Sequence, residues 1–335
     1  MLVRVKSKLW AALGSSEARH GGRMKLLVRI QVAVAQCTGH GDVPIEDRYV
    51  DEILFLVSNA PVSAAFLSRR ISARLAATRD PVVALKALLL LHRLLRGGDR
   101  RFEREIGTLW SSGELEMDLS WCSHSFLVSY SSFLGDRMGW VINHAGMLEP
   151  IRAHQSREEE EAESILHMMS RCQVFLDRAM DCLPQEETSW PSQVMQSAVD
   201  IILRESFRVY RSFCDGLAIL LRCSFQLRKS SGDLALGILK EACIQTPRLH
   251  EFYENCKRRN LGRILDFPSV RIITIDQISS MRQHQNEVQG NNVEESEASR
   301  TRFLPKLETK ITQVWVAFDE EDSTTSASSA GESRG

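Results

Sequence analysis

The stretch Arg79-Asp-Pro-Val-Val-Ala-Leu-Lys-Ala-Leu-Leu-Leu-Leu-His-Arg-Leu-Leu-Arg-Gly-Gly98 decides the fold. Asp80 is an N-cap residue and Pro81 suits the first helical position, where its missing N–H costs nothing. Gly97-Gly98 ends the segment. Between them lies an apolar helix too short, and too interrupted by Lys86, His92 and Arg93, to cross a bilayer. It reads as a core helix, with Lys86, His92, Arg93 and Arg96 on its polar side.

Working outward, helical patterns fill most of the 335 residues. Lys25–Thr38 is apolar with sparse polar positions and ends at Gly-His-Gly-Asp-Val-Pro. Val50, Ile53, Leu54 and Val57 space out one face of a helix over Asp47–Ser58. Pro61 opens the next helix. Further helices are expected over Ser120–Gly139, Arg157–Asp181, Gln193–Arg228, Ser231–Cys256 and Leu261–Gln283. No strand is expected, because the alternation in Arg271–Ile278 is short and flanked by helical sequence. A helix over Gln193–Arg228 would run roughly 54 Å at about 1.5 Å per residue. Helices of that length pack side by side, and Arg204, Arg208 and Arg211 interrupt any coiled-coil heptad. The expected class is all-α: a helical solenoid with an elongated C-terminal helix pair. After Met281 the sequence turns to Gln, Asn, Glu and Ser, the composition of a disordered tail.

The net charge of −1 conceals a polarised chain. From Met1 to Ile30, seven basic residues face Glu17 alone, for a net +6. From Gln283 to Gly335, ten acids outnumber five bases, for a net −5. A basic front suits an anionic surface, while the neutral total gives no global field for nucleic acid. Eight scattered cysteines without a CxxC pair suggest neither a disulfide framework nor a zinc site. They read as small hydrophobes in a reducing compartment. The opening MLVRVKSKLWAALG has too short an apolar run for a signal peptide. A cytoplasmic protein with peripheral membrane contact is expected.

No catalytic signature is present: no GxSxG, GxxxxGK[ST], HExxH or GxGxxG. His92, His124, His144, His154 and His167 lack a matched nucleophile or ligand spacing and read as surface or capping residues. The acidic run Arg157–Glu163 reads as a solvated helix start. No enzyme, cofactor or metal site is expected.

The capped leucine-rich helix closely resembles the fourth helix of the ANTH domain of clathrin-assembly proteins, which is related to the epsin N-terminal (ENTH) domain. The preceding order agrees: a helix ending near Thr38, a loop with His40 and Pro44, then a helix opening on Arg48-Tyr49. The similarity continues through Phe102–Ile106, Trp121–Trp140 and the long helices to about Phe267, covering about Lys8 to Met281. The chain resembles the plant clathrin-assembly proteins. The resemblance implies a right-handed solenoid divided into a basic first segment (1–24), a membrane-binding part (25–160), a long-helix extension (161–283) and a tail (284–335).

It also implies binding of phosphatidylinositol 4,5-bisphosphate on the first two helices and their loop. The family pattern is a lysine, nine residues, a lysine, one residue, Lys or Arg, then His or Tyr. Here the frame reads Gln36, nine residues, Glu46, Asp47, Arg48, Tyr49. The last two positions are kept and the two lysines are lost. Each basic residue near an anionic surface contributes on the order of 1 kcal/mol, so Lys6, Lys8, Arg23, Lys25 and Arg29 are the expected compensation. The lipid-binding set is therefore Lys6, Lys8, Arg23, Lys25, Arg48 and Tyr49.

In the tail, Trp315-Val-Ala-Phe318-Asp319-Glu-Glu-Asp322 places two aromatic anchors before a run of acids, suited to a two-pocket groove with a basic rim. It resembles the WVxF-acidic peptides that bind the large-subunit appendage of the plasma-membrane clathrin adaptor, which implies adaptor contacts for Trp315, Phe318 and Asp319. No NPF or DPF repeat and no clear clathrin box accompanies it. The expected function is an endocytic adaptor on coated pits and vesicles, at the plasma membrane and Golgi, with clathrin or an adaptor appendage as partner. The alternative is a lipid-independent helical scaffold that binds a vesicle SNARE helix, with apolar stretches in Val194–Leu227 as the docking face.

Overall fold

The computed structural model describes residues 16–58, 60, 63–143, 146–151, 161–184, 193–223, 229–276 and 279. Nine helices and one small hairpin are found among them: α1 (Ser16–Cys37), α2 (Asp47–Ser58), α3 (Ser63–Ala77), α4 (Pro81–Gly97), α5 (Arg100–Ser111), α6 (Ser125–Arg137), β1 (Trp140–Ile142), β2 (Leu148–Pro150), α7 (Glu161–Asp181), α8 (Gln193–Cys223) and α9 (Lys229–Arg258). The expected all-α class holds, and the hairpin is the exception to the expectation of no strand. Its strands are antiparallel, with Trp140 opposite Pro150 and Ile142 opposite Leu148. Three-residue strands carry no readable alternation, and the turn depends on Gly146 at φ 74°, a left-handed conformation that glycine adopts without a Cβ clash.

The helix α4 is the centre of the stack, packed against α1, α2, α3, α5, α6 and α8. Its start is as the sequence predicts: the Asp80 carboxylate accepts from Val82 N–H at 2.8 Å and Pro81 occupies the first turn. A helix surrounded on all sides has no polar face. Lys86 and His92, expected on one, are 5% and 0% exposed. Of the four residues expected on that side, only Arg93 and Arg96 reach even partial exposure.

Of the two long helices, α8 spans 31 residues, with 224–228 of the expected range outside the described residues, and α9 spans 30, longer than the expected Ser231–Cys256; each runs about 45 Å. They do not simply pair. Both lie along α7 and meet each other through side chains, where Ser206 Oγ and Tyr253 Oη lie 3.1 Å apart and the Phe207 and Tyr253 rings cross edge to face. The helix expected over Leu261–Gln283 is absent from 265–274. Gly262 at φ 68° ends the turn that follows α9, and Pro268, which lacks a backbone N–H, is unfavourable inside one continuous helix over this range. Instead this segment is tied down by Arg271 N–H on Tyr210 Oη (2.8 Å) and Ile273 N–H on Thr246 Oγ1 (3.1 Å). The expected tail, 284–335, lies outside the described residues.

Among the described residues no helix is long and apolar enough to cross a membrane. Cys37, Cys172, Cys182 and Cys256 are buried, and burial pushes the thiols of Cys37, Cys172 and Cys256 up to about 12, so they remain protonated packing groups.

Candidate lipid and protein interfaces

The loop joining α1 to α2 is braced from behind by α3 and α4. Arg74 reaches the end of α1, donating to Thr38 Oγ1 (3.1 Å) and Thr38 O (2.8 Å). Lys86 Nζ donates to Gly41 O, and Arg93 donates to Ile45 O at 2.7 Å and pairs with Asp47. His40 Nδ1 lies 2.6 Å from Asp80 Oδ2. The buried Lys86 thus has a purpose the sequence does not announce: it satisfies a loop carbonyl from inside the stack. Burial lowers its pKa, and Asp42 works against that.

On the outer side of this frame, Gln36, Glu46 and Arg48 are exposed and Tyr49 is half-buried at the first turn of α2. Arg48 is already engaged. Its Nε lies 2.8 Å from Glu46 Oε2, its Nη2 donates to Tyr49 Oη at 2.9 Å, and its guanidinium stacks 4.5 Å from the Tyr49 ring centroid. The lysine-to-glutamate loss at Glu46 therefore acts twice, removing one cation and occupying another. Arg29 is likewise taken, with Nε and Nη2 donating to Glu52 Oε1 at 2.9 and 2.6 Å. Lys25 stands exposed on α1. Lys6 and Lys8 lie outside the described residues, as does the side chain of Arg23. The structure thus brings together Arg48, Tyr49 and Glu46, with Lys25 on the adjoining helix. Trp315, Phe318 and Asp319 also lie outside the described residues.

Sequence reading misses a buried polar cluster that joins α4, α5 and α6 to α8. Arg137 Nε is 3.0 Å from both carboxylate oxygens of Glu205, Nη2 donates to Glu103 Oε1 (2.9 Å), and Nη1 donates to Trp140 O (2.9 Å). Glu103 Oε2 also accepts from Ile142 N–H at 2.8 Å, which fixes β1. His92 completes the set, with Nε2 2.9 Å from Glu205 Oε2 and Nδ1 3.0 Å from Tyr130 Oη. An ionised Glu205 only accepts, so Nε2 carries the proton and Nδ1 accepts from the Tyr130 hydroxyl. Burial works to raise the Glu205 pKa, but Arg137 and His92 overcome it and hold the carboxyl at about 2. Burial lowers His92, keeping it neutral, and raises Glu103 against the pull of Arg137. A readable signal existed: Glu205 occupies a position in the period of Ile202, Val209 and Phe213, all core residues.

A cleft of about 620 Å³ opens beside the hairpin, lined among others by Arg100, Arg104, Glu149, Ser212 and Asp215.

The ANTH domain family model matches residues 29–287. An Arabidopsis thaliana protein named for clathrin assembly is 37% identical over 330 residues, covering 89% of this chain and 88% of its own length. The clathrin coat assembly protein AP180 of Arabidopsis thaliana is 26% identical over 293 residues, 77% of this chain and 45% of its own length. This chain therefore spans less than half of that relative. Among solved structures, the ENTH domain from epsin-2 in complex with phosphatidylinositol 4,5-bisphosphate aligns at 14% identity with a TM-score of 0.49, covering 74% of this chain and 98% of that one. The chain belongs to the ANTH-domain family.

Proposed function

We propose that this protein is an endocytic clathrin adaptor that binds phosphatidylinositol 4,5-bisphosphate membranes through the basic N-terminal face and coat or cargo proteins through its helices and tail. The observation that carries this reading is membership of the ANTH family, with a relative named for clathrin assembly matching nearly its full length. The braced loop supports the lipid half, because a frame held by Arg74, Lys86 and Arg93 presents its outer residues with little ordering left to do on binding. Lys6, Lys8, Arg23 and Lys25 are the proposed further sources of positive charge, in addition to Arg48. Peripheral attachment of this kind needs positive density rather than a deep pocket. Trp315, Phe318 and Asp319 are the proposed adaptor contacts, and coated pits and vesicles at the plasma membrane and Golgi are the proposed location.

Liposome flotation with and without the bisphosphate, repeated across a salt series, tests the reading. Flotation only with the bisphosphate, fading with salt, is expected; equal flotation on neutral vesicles at low salt overturns the lipid role. The pairing of Arg48 with Glu46 favours one alternative, a lipid-independent scaffold for a vesicle SNARE helix. That reading predicts no flotation under any condition and saturable binding of a SNARE-motif peptide.

A further inference from the structure

A second concentration of positive charge lies where the end of α4 meets the middle of α8. The contact of His92 with Glu205 fixes this crossing. Arg96 is one turn beyond His92 on the same row of α4, so it leans toward the same part of α8. Arg204 and Arg208 flank Glu205 and share one strip of α8 at i, i+4 spacing, and Arg211 extends it. Arg204 and Arg211 are exposed, while Arg96 and Arg208 are half-buried.

Among the described residues no acid pairs directly with these groups. Glu205, the nearest, has its oxygens committed to Arg137 and His92. Asp200, one turn before Arg204, accepts instead from Gly262 N–H at 3.0 Å. Asp215, one turn past Arg211, lines the neighbouring cleft. Among the described residues, Arg96, Arg204, Arg208 and Arg211 make no ion pair within 4.0 Å. The Nε of Arg96 is buried with no hydrogen-bond acceptor. Like charges at i, i+4 repel, and a buried guanidinium donor without a partner is costly. Burial, and then the neighbouring Arg208 and Arg204, lower the Arg96 pKa, against the opposing pull of Glu205. The arrangement carries uncompensated positive charge that an added anion would relieve.

We propose that Arg96, Arg204 and Arg208 form a second anion site that takes a phosphate group, as found on an inositol phosphate or polyphosphate. Guanidinium forks match phosphate oxygens in pairs, and a phosphate monoester brings three acceptor oxygens and nearly two negative charges. An aspartate or glutamate side chain brings two oxygens and one charge, too little for three arginines. The site shares no residue with the lipid frame at Glu46–Tyr49 and does not rest on the function proposed above.

Isothermal calorimetry of the full chain with pyrophosphate, at low salt, tests the proposal against the variants Arg204→Gln/Arg208→Gln, Arg96→Lys and Arg69→Gln. The double variant is expected to weaken pyrophosphate binding at least tenfold. Arg96→Lys, which keeps charge and loses the fork, should weaken it several-fold, and Arg69→Gln, an exposed arginine of α3 that belongs to neither site, should leave it unchanged. Flotation on phosphatidylcholine vesicles with and without the bisphosphate separates sources. A loss of flotation in the double variant assigns the phosphate to a lipid headgroup, and unchanged flotation assigns it to a soluble phosphate. Hydrogen exchange on the unsubstituted protein gives a reading that needs no variant: pyrophosphate should protect 93–101 and 200–212. The proposal is overturned if pyrophosphate shows no saturation to millimolar concentration, if the double variant binds it as well as the parent, or if protection falls only on 39–50. It is equally overturned if the acidic peptide Lys310–Ser323 binds this strip and pyrophosphate fails to displace it.

Discussion

Arg137 Nε sits 3.0 Å from each carboxylate oxygen of Glu205, and both side chains are wholly buried. The pair joins the last residue of α6 to the middle of α8 inside a cluster with His92, Glu103 and Tyr130. A buried ion pair is weak evidence of added stability, but removing one partner strands the other in a dry interior.

Glu205→Leu is therefore expected to destabilise the protein by about 3–5 kcal/mol, since it leaves Arg137 Nε and His92 Nε2 as buried donors without acceptors. Glu205→Gln, which keeps one acceptor, should cost less. Urea unfolding followed by circular dichroism measures both, and a loss below about 1 kcal/mol for Glu205→Leu would show that the cluster does not hold α8 in place.

The same cluster sets a pH dependence. His92 is held neutral with its pKa lowered, so below the ordinary imidazole range the unfolded chain binds a proton that the folded one does not. Stability then falls as pH drops from about 6.5. Glu205, held at about 2, adds stability that is full above the ordinary carboxylate range and is lost as pH falls from about 4.3 toward 2. Glu103, raised, contributes with the opposite sign and offsets part of the acid loss. Melting temperature should thus begin to decline near pH 6.5, and His92→Gln should flatten the limb between pH 6.5 and 5. An unchanged limb in that variant would show that His92 does not set it.

For the lipid face, Glu46→Lys should act more strongly than Gln36→Lys, because it adds a cation and also releases Arg48 from its 2.8 Å partner. Together the two substitutions change the local charge by +3. At about 1 kcal/mol per charge near an anionic surface, they should tighten binding to bisphosphate vesicles by roughly two orders of magnitude. Flotation at graded salt measures this; equal effects of the two single variants would mean the Arg48–Glu46 pair does not limit binding.

The tail motif makes a separate prediction. A peptide spanning Lys310–Ser323 should bind the adaptor's large-subunit appendage at about micromolar strength, as one short motif with an ordering cost. Trp315→Ala or Phe318→Ala should each weaken the binding by about thirtyfold or more, since each anchor contributes on the order of 2 kcal/mol or more. Replacing Asp319 through Asp322 by Ser and Asn should weaken it and flatten its salt dependence. Equal calorimetric binding by the Trp315→Ala peptide would remove the tail from any adaptor role.

The helices were legible where local rules decide them. Asp80-Pro81 announces the start of α4, and the bounds of α2 fall where the spacing of Val50, Ile53 and Val57 puts them. What escaped was decided by contacts distant in sequence. Lys86 and His92 read as polar-side residues because a helix wheel assumes one face meets water, whereas α4 is enclosed on every side. A run such as Leu88–Leu91 already argues for enclosure, and polar residues inside it then require buried partners. Those partners, Gly41 O and Glu205, lie 45 and 113 residues away. At the candidate lipid frame the residue types were readable, but the capture of Arg48 by Glu46 and of Arg29 by Glu52 needed coordinates.

The distance of 113 residues between His92 and Glu205 also matters while the chain is being made. At roughly 5–20 residues per second, Glu205 emerges from the ribosome about 6 to 23 s after His92. Until then His92, and Arg137 once it is made, lack their common acceptor, and the side of α4 that will meet α8 is uncovered. The first helices therefore spend seconds as an unfinished interior, which is the window in which a chaperone would find this nascent chain.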